Sequence, residues 1–189
     1  MSEPSMSPFS TLLELATGRL EPARKLVERH MRDLQGLYLE DVPDDRLHEL
    51  AYEVSEIPVP ASSSDVYSST TILQPGTVGG EYNMTKGHFH ANRDRAEIYL
   101  TLRGEGRLVM ATEDGDHRVE RMAPGTVNYV PGWWAHRSVN VGSEPLVFFA
   151  AYPADAGYDY GTIEEHGFPV LVVERDREPA VVPNPRYQA

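Results

Sequence analysis

His88-Phe89-His90, Glu97 and His136 are the residues that most narrow what this chain can fold into. Successive side chains of an extended strand point to opposite faces, so His88 and His90 project from one face, roughly 6–7 Å apart along the chain. That spacing suits two ligands of a chelating pair. Glu97 follows after six intervening residues, and His136 ends a Pro-Gly-Trp-Trp-Ala-His run that starts at Pro131. Three imidazoles and a carboxylate favour a divalent first-row ion, iron(II), manganese, nickel or zinc, over calcium, which prefers an all-oxygen shell. A His-x-His pair alone fits two ordinary strand histidines equally well, and only the register of all four residues sets it apart.

Short β-type runs surround these residues: 52–59, 70–73, 84–90, 96–103, 107–111, 126–130, 135–141 and 146–152. Their alternation with turn residues predicts a sandwich or barrel. Gly104-Glu-Gly106 and Glu113-Asp-Gly-Asp116 read as hairpin turns, the Ser-rich residues 61–69 as a loop, and the Pro-containing tail after Ala180 as a surface segment. Near the start, Ala23, Val27, Met31 and Leu34 recur at helical spacing after Pro22, with Gly36 placed to close the segment. An amphipathic helix is expected there, and a shorter helical turn capped by Asp44 or Asp45. The expected organisation is a helical arm over residues 1–50, a β-barrel over 51–175 and a tail over 176–189.

At 189 residues the chain suits one domain with terminal additions. Its 29 acidic and 17 basic residues give a net charge of −12, which disfavours nucleic acid and anionic membrane as partners, so an anionic ligand would need local donors. The absence of cysteine excludes disulfides, thiolate ligation and a cysteine nucleophile. Residues 1–18 hold no apolar run of signal-peptide length and no later segment approaches a membrane span, so a soluble cytoplasmic protein is expected.

Gly104 follows Glu97 after six intervening residues, and Gly125, Pro131, His136 and Asn140 are separated by five, four and three intervening residues. This pattern resembles the paired motifs of the cupin superfamily, whose ligands meet inside a small barrel. Two departures are visible: a longer gap before Glu97, and Trp133 where glycine is usual. Met84-Thr-Lys-Gly-His-Phe-His90, Arg95-Ala-Glu-Ile-Tyr99 and Tyr152-Pro-Ala-Asp-Ala-Gly-Tyr-Asp-Tyr-Gly161 are more specific. They resemble the cupin-type glucose-6-phosphate isomerases, and the likeness runs through most of the chain to Asn184-Pro185-Arg186.

The resemblance implies a mainly β, single-domain cupin barrel of jelly-roll type and one divalent metal ion per subunit, held by His88, His90, Glu97 and His136. It implies a phosphorylated hexose substrate and a homodimer. Tyr52, Thr71, Thr85, the Gly87 backbone, Tyr152 and Tyr160 would surround the phosphate with Lys86 as a nearby charge, while Tyr99 reaches the sugar or orients Glu97. Glu97 would also serve as a proton shuttle in an enediol route, against a hydride shift that needs no base. Tyr158 stands where the family commonly has histidine; a phenol donates a hydrogen bond but is a poor base near neutral pH. Glucose 6-phosphate isomerisation, extending to mannose 6-phosphate, is therefore the leading expectation. A noncatalytic sugar-phosphate sensor and a cupin dioxygenase are the alternatives. Asp155, Asp159, Glu165, His30, His48, His117 and His166 fall outside the ligand pattern and read as surface or packing groups.

Overall fold

The computed structural model describes residues 7–23, 25–57, 59–60, 62 and 64–188. The readings of 1–18, 52–59, 61–69 and 176–189 each touch residues outside this set, namely 1–6, 58, 61, 63 and 189. The chain is mainly β. A six-stranded antiparallel sheet forms one wall, in the spatial order Val127–Val130, Glu97–Arg103, Leu146–Pro153, Val66–Leu73, Leu50–Glu56 and Lys25–His30. A three-stranded sheet of His117–Met122, Gly106–Ala111 and Ala135–Asn140 forms part of the opposite wall. Residues 84–89 extend it through isolated bridges, Met84 to Val139 and His88 to His136, rather than as the continuous strand expected.

The core lies between the walls. Leu73, Leu108, Leu146, Val130 and Phe148 are buried there, each side chain contributing about 1.5–3 kcal/mol by leaving water. Ala135–Asn140 is buried at every position because Val170–Arg175 and Phe168 cover the face that turns away from the barrel. Val170–Arg175 pairs with Glu178–Pro183, so the tail carries a strand, and Val173 pairs with Glu81.

Among the described residues no helical arm precedes the barrel. Lys25–His30 is an edge strand paired with Leu50–Glu56, and among the described residues before 50 only 3₁₀ turns, Met31–Leu34 and Asp44–Arg46, are helical. Neither Asp44 nor Asp45 caps a turn with its side chain; Pro43 occupies the cap position. The spacing of Val27 and Met31 fits a helix, but Lys25, Val27 and Arg29 also alternate with period two. Pairing along an open sheet edge satisfies a whole row of backbone groups, which overrides a weak local preference. Gly104-Glu-Gly106 is likewise not a hairpin, because the strands on either side belong to different walls. It is a corner: Gly104 has φ +82°, and a Cβ there would lie 2.6 Å from the Pro145 oxygen. The Ser-rich stretch is a strand from Val66 onward. Glu113-Asp-Gly-Asp116 does turn between paired strands, closed by Thr112 N–H donating to the Asp116 oxygen at 2.8 Å. No helix among the described residues is long and apolar enough to cross a membrane.

Candidate metal centre and active site

The two walls bring four side chains together. His88, His90 and His136 come from one wall, and Glu97, first residue of its strand, from the other. Their ligating atoms all lie within 4.8 Å of one another. Glu97 Oε2 is 3.1 Å from His90 Nε2 and 3.0 Å from His136 Nε2, and the His88 and His136 rings are 4.5 Å apart. His90, Glu97 and His136 are all buried. The six residues between His90 and Glu97 form a turn held from outside, with the Arg95 guanidinium bidentate on Asp155 at 2.9 and 2.8 Å.

Several observations fit these groups to a cation. His88 Nε2 and His136 Nε2 are buried without a hydrogen-bond partner, the latter close to Glu97 but out of hydrogen-bonding alignment. His90 Nδ1 lies 2.8 Å from the Arg95 oxygen, a bond in which Nδ1–H donates and Nε2 keeps its lone pair for the site. Burial and the neighbouring His136 hold the His88 imidazole well below its ordinary pKa, in the neutral form that ligates. Burial alone would raise Glu97, but His136 and His90 overcome it and pull the carboxyl down to about 2. A buried anion facing three imidazoles, two with orphaned nitrogens, is a donor set for a divalent ion.

His88, Glu97 and His136 open onto a cavity of about 220 Å³. Every residue expected to meet substrate lines it: Tyr52, Thr71, Thr85, Lys86, Gly87, Tyr99, Tyr152, Tyr158 and Tyr160. Thr85 Oγ1 accepts from Ser138 N–H at 3.1 Å, and Lys86 Nζ is 3.3 Å from Glu164. The Tyr152 and Tyr158 hydroxyls are 2.6 Å apart, and Tyr158 stacks on Tyr160. Burial raises the Tyr52 phenol to about 12, and it pushes Tyr99, Tyr152 and Tyr158 above the ordinary tyrosine range, so all four stay neutral. Near Tyr99 the Glu97 charge adds to that push.

Lys25, Arg29, Glu56, Ser69 and Ser138 also line the cavity and were missed from sequence. Lys25 and Arg29 were hidden by the helical reading. Ser69 and Ser138 stand two residues from Thr71 and His136, so strand periodicity was the signal that could have found them. Asp155 and Asp159 are ion-paired with Arg95 and Arg93 rather than free in solvent.

Comparison with known proteins agrees with this architecture. An oxalate oxidase structure superposes with a TM-score of 0.51 at 15% identity, covering 62% of this chain and 58% of the other, a likeness of fold alone. The glucose-6-phosphate isomerase of Pyrococcus horikoshii is 46% identical over 185 residues, 96% of this chain and 97% of its own length. That of Thermococcus kodakarensis is 47% identical over 184 residues, with coverage of 96% and 97%. A model of the glucose-6-phosphate isomerase family matches residues 28–184, a span that holds all four clustered side chains and nearly the whole barrel. With relatives this similar along almost its full length, the chain belongs to the cupin-type glucose-6-phosphate isomerase family.

Proposed function

We propose that this protein is a cytoplasmic, metal-dependent isomerase interconverting glucose 6-phosphate and fructose 6-phosphate, with mannose 6-phosphate as a further substrate through a shared enediol. The observation that carries the reading is one cavity lined both by members of the histidine–carboxylate cluster and by hydroxyl and backbone donors. Such a cavity suits a ligand with a polyol head and an anionic tail. Membrane-impermeant sugar phosphates are found inside cells, which is the basis of the cytoplasmic assignment.

His88, His90, Glu97 and His136 would hold the ion, iron(II) first, with manganese, nickel or zinc as alternatives. When bound, it supplies positive charge that stabilises negative charge developing on the sugar oxygens. Thr71, Thr85, Gly87 and Tyr160 bind the phosphate, with Tyr52 and Tyr152 beside them and Lys86 adding charge. Tyr99, held neutral, orients Glu97. In the enediol route the Glu97 carboxylate takes the proton from C2 and returns it to C1, while Tyr158 hydrogen-bonds a sugar oxygen. The second route is a direct hydride shift between the same carbons, which needs no base. Retention of a C2 deuterium without solvent exchange would establish the shift; wash-out would establish proton transfer.

Chelator-stripped protein reloaded separately with iron(II), manganese, nickel or zinc should isomerise glucose 6-phosphate in at least one form. Inactivity in every form would overturn the enzyme assignment, and tight sugar-phosphate binding without turnover would establish a sensor instead. On the same reading the protein is a homodimer, supported by exposed Ile98, Val127 and Tyr129 on the outer face of the six-stranded wall. A monomer by light scattering would remove that part.

A further inference from the structure

The strand Ala135–Asn140 turns His136 and Ser138 toward the cavity and Arg137, between them, toward the layer behind. Arg137 is only 5% exposed and forms no ion pair among the described residues. Its guanidinium lies 4.8 Å from the Phe168 ring centroid, and Nε and Nη2 both donate to the Lys86 carbonyl, at 3.2 and 2.6 Å. A buried cation whose hydrogen bonds converge on a single carbonyl is a costly arrangement. Its geometry has a consequence for the cavity on the other side of that peptide.

In a planar trans peptide the C=O and N–H point in opposite directions. Fixing the Lys86 oxygen behind the wall therefore turns the Gly87 N–H toward the cavity that Gly87 lines. That N–H has no protein acceptor among the described residues. The peptide is also wedged in place: Gly87 has φ +75°, and a Cβ there would lie 2.7 Å from Phe168 Cε2 and 3.1 Å from Arg137 Cβ. Positive charge at the carbonyl end draws electrons through the amide and makes its N–H a stronger donor. In a chain of net charge −12, an anion depends on such local donors.

We infer that Arg137 is a positioning residue for anion recognition: its buried guanidinium pins and polarises the Lys86–Gly87 peptide so that the Gly87 N–H stands ready for the substrate phosphate. This rests on the sugar-phosphate reading of the cavity. Arg137 itself touches neither substrate nor metal.

The test uses zinc-loaded full-length protein for binding and the metal form active in turnover for kinetics. Inorganic phosphate titrated into wild type should shift the Gly87 amide proton downfield. Arg137→Met should weaken phosphate binding and raise KM for fructose 6-phosphate about tenfold, with kcat held within about threefold and metal content unchanged. Binding of an uncharged hexitol, which engages the metal end alone, should be unaltered, and Arg137→Lys should recover part of the phosphate affinity. Equal losses for phosphate and hexitol, or wild-type phosphate affinity in the Met variant, would overturn the assignment. Should the Met variant not fold, the Gly87 amide decides: an unperturbed resonance overturns the inference. Turnover with that amide silent removes this inference and leaves the isomerase, whereas a shifted amide without turnover does the reverse.

Discussion

Arg93 and Asp159 form a 2.6 Å ion pair that ties the turn between His90 and Glu97 to the segment carrying Tyr158 and Tyr160. Arg93 also donates to the His90 oxygen at 2.6 Å and to Glu113 at 3.0 Å, and Phe89 and Asp159 exchange two backbone hydrogen bonds. One guanidinium thus links the candidate ligand His90 to the segment that carries the two tyrosines. The Arg93 and Thr162 hydrogen bonds lower the Asp159 carboxyl from 3.8 to about 2. A depressed carboxyl contributes stability that is complete above its unfolded value and is lost as pH falls through its folded value. Asp159→Asn should cost roughly 1 kcal/mol at pH 7, discounted for partial exposure, and the gap to wild type should close between about pH 4 and pH 2. Urea denaturation across that range measures it; a gap that stays constant into acid would sink the explanation.

Burial keeps Tyr158 neutral, overcoming the Tyr152 hydrogen bond that acts in the opposite direction. Tyr158→Phe removes the hydroxyl and should lower kcat about tenfold, the value of one hydrogen bond to a charge-bearing oxygen. Tyr158→His supplies a base that titrates near neutrality. Turnover should then exceed wild type and rise with pH through about 6.5, because the neutral imidazole accepts the proton. Metal analysis on each variant keeps loss of the ion from imitating either result. Unchanged rates in both variants would show that this position does not take part in the reaction.

The strand succession and the clustering of His88, His90, Glu97 and His136 were legible in sequence because each rests on a short-range rule: alternation, turn residues, His-x-His spacing. The site beyond them became legible only by family likeness, since Tyr52, Thr85 and Tyr160 lie on separate elements and no local pattern links them. The edge strand Lys25–His30 was not legible at all. Its pairing partner starts at Leu50, and the same residues satisfy two periodicities until that partner is known. The Gly104 corner failed for a related reason, because a glycine pair marks a sharp change of direction without saying which sheet the next strand joins.

Trp133, unexpected in a position that usually takes glycine, keeps glycine's conformation: its φ is +71° and its N–H donates to the Arg93 oxygen at 2.5 Å. The indole is 61% exposed, so burial recovers little of the strain. Left-handed backbone costs a residue with a side chain about 1 kcal/mol or more, while glycine's extra freedom when unfolded returns a few tenths to about 1 kcal/mol. Trp133→Gly should therefore be about 1 kcal/mol more stable than Trp133→Ala, the comparison that cancels the lost indole. Equal melting temperatures for the two would show that the turn relaxes around any residue.

Arg29 is the test of what the edge strand adds to the site. It lies opposite Tyr52 in the pairing register and lines the cavity, as Lys25 does four register positions away. Neither forms an ion pair among the described residues. Against a net charge of −12, these cations with Lys86 offset the repulsion a sugar phosphate meets on approach. Arg29→Glu should lower kcat/KM about tenfold at low salt, with Arg29→Gln between it and wild type. Because the effect acts through solvent at the cavity mouth, raising ionic strength toward 1 M, where the screening length is about 3 Å, should narrow the difference. A salt-independent loss would instead place Arg29 in direct contact with the phosphate, and no loss would leave the edge strand a purely structural part of the wall.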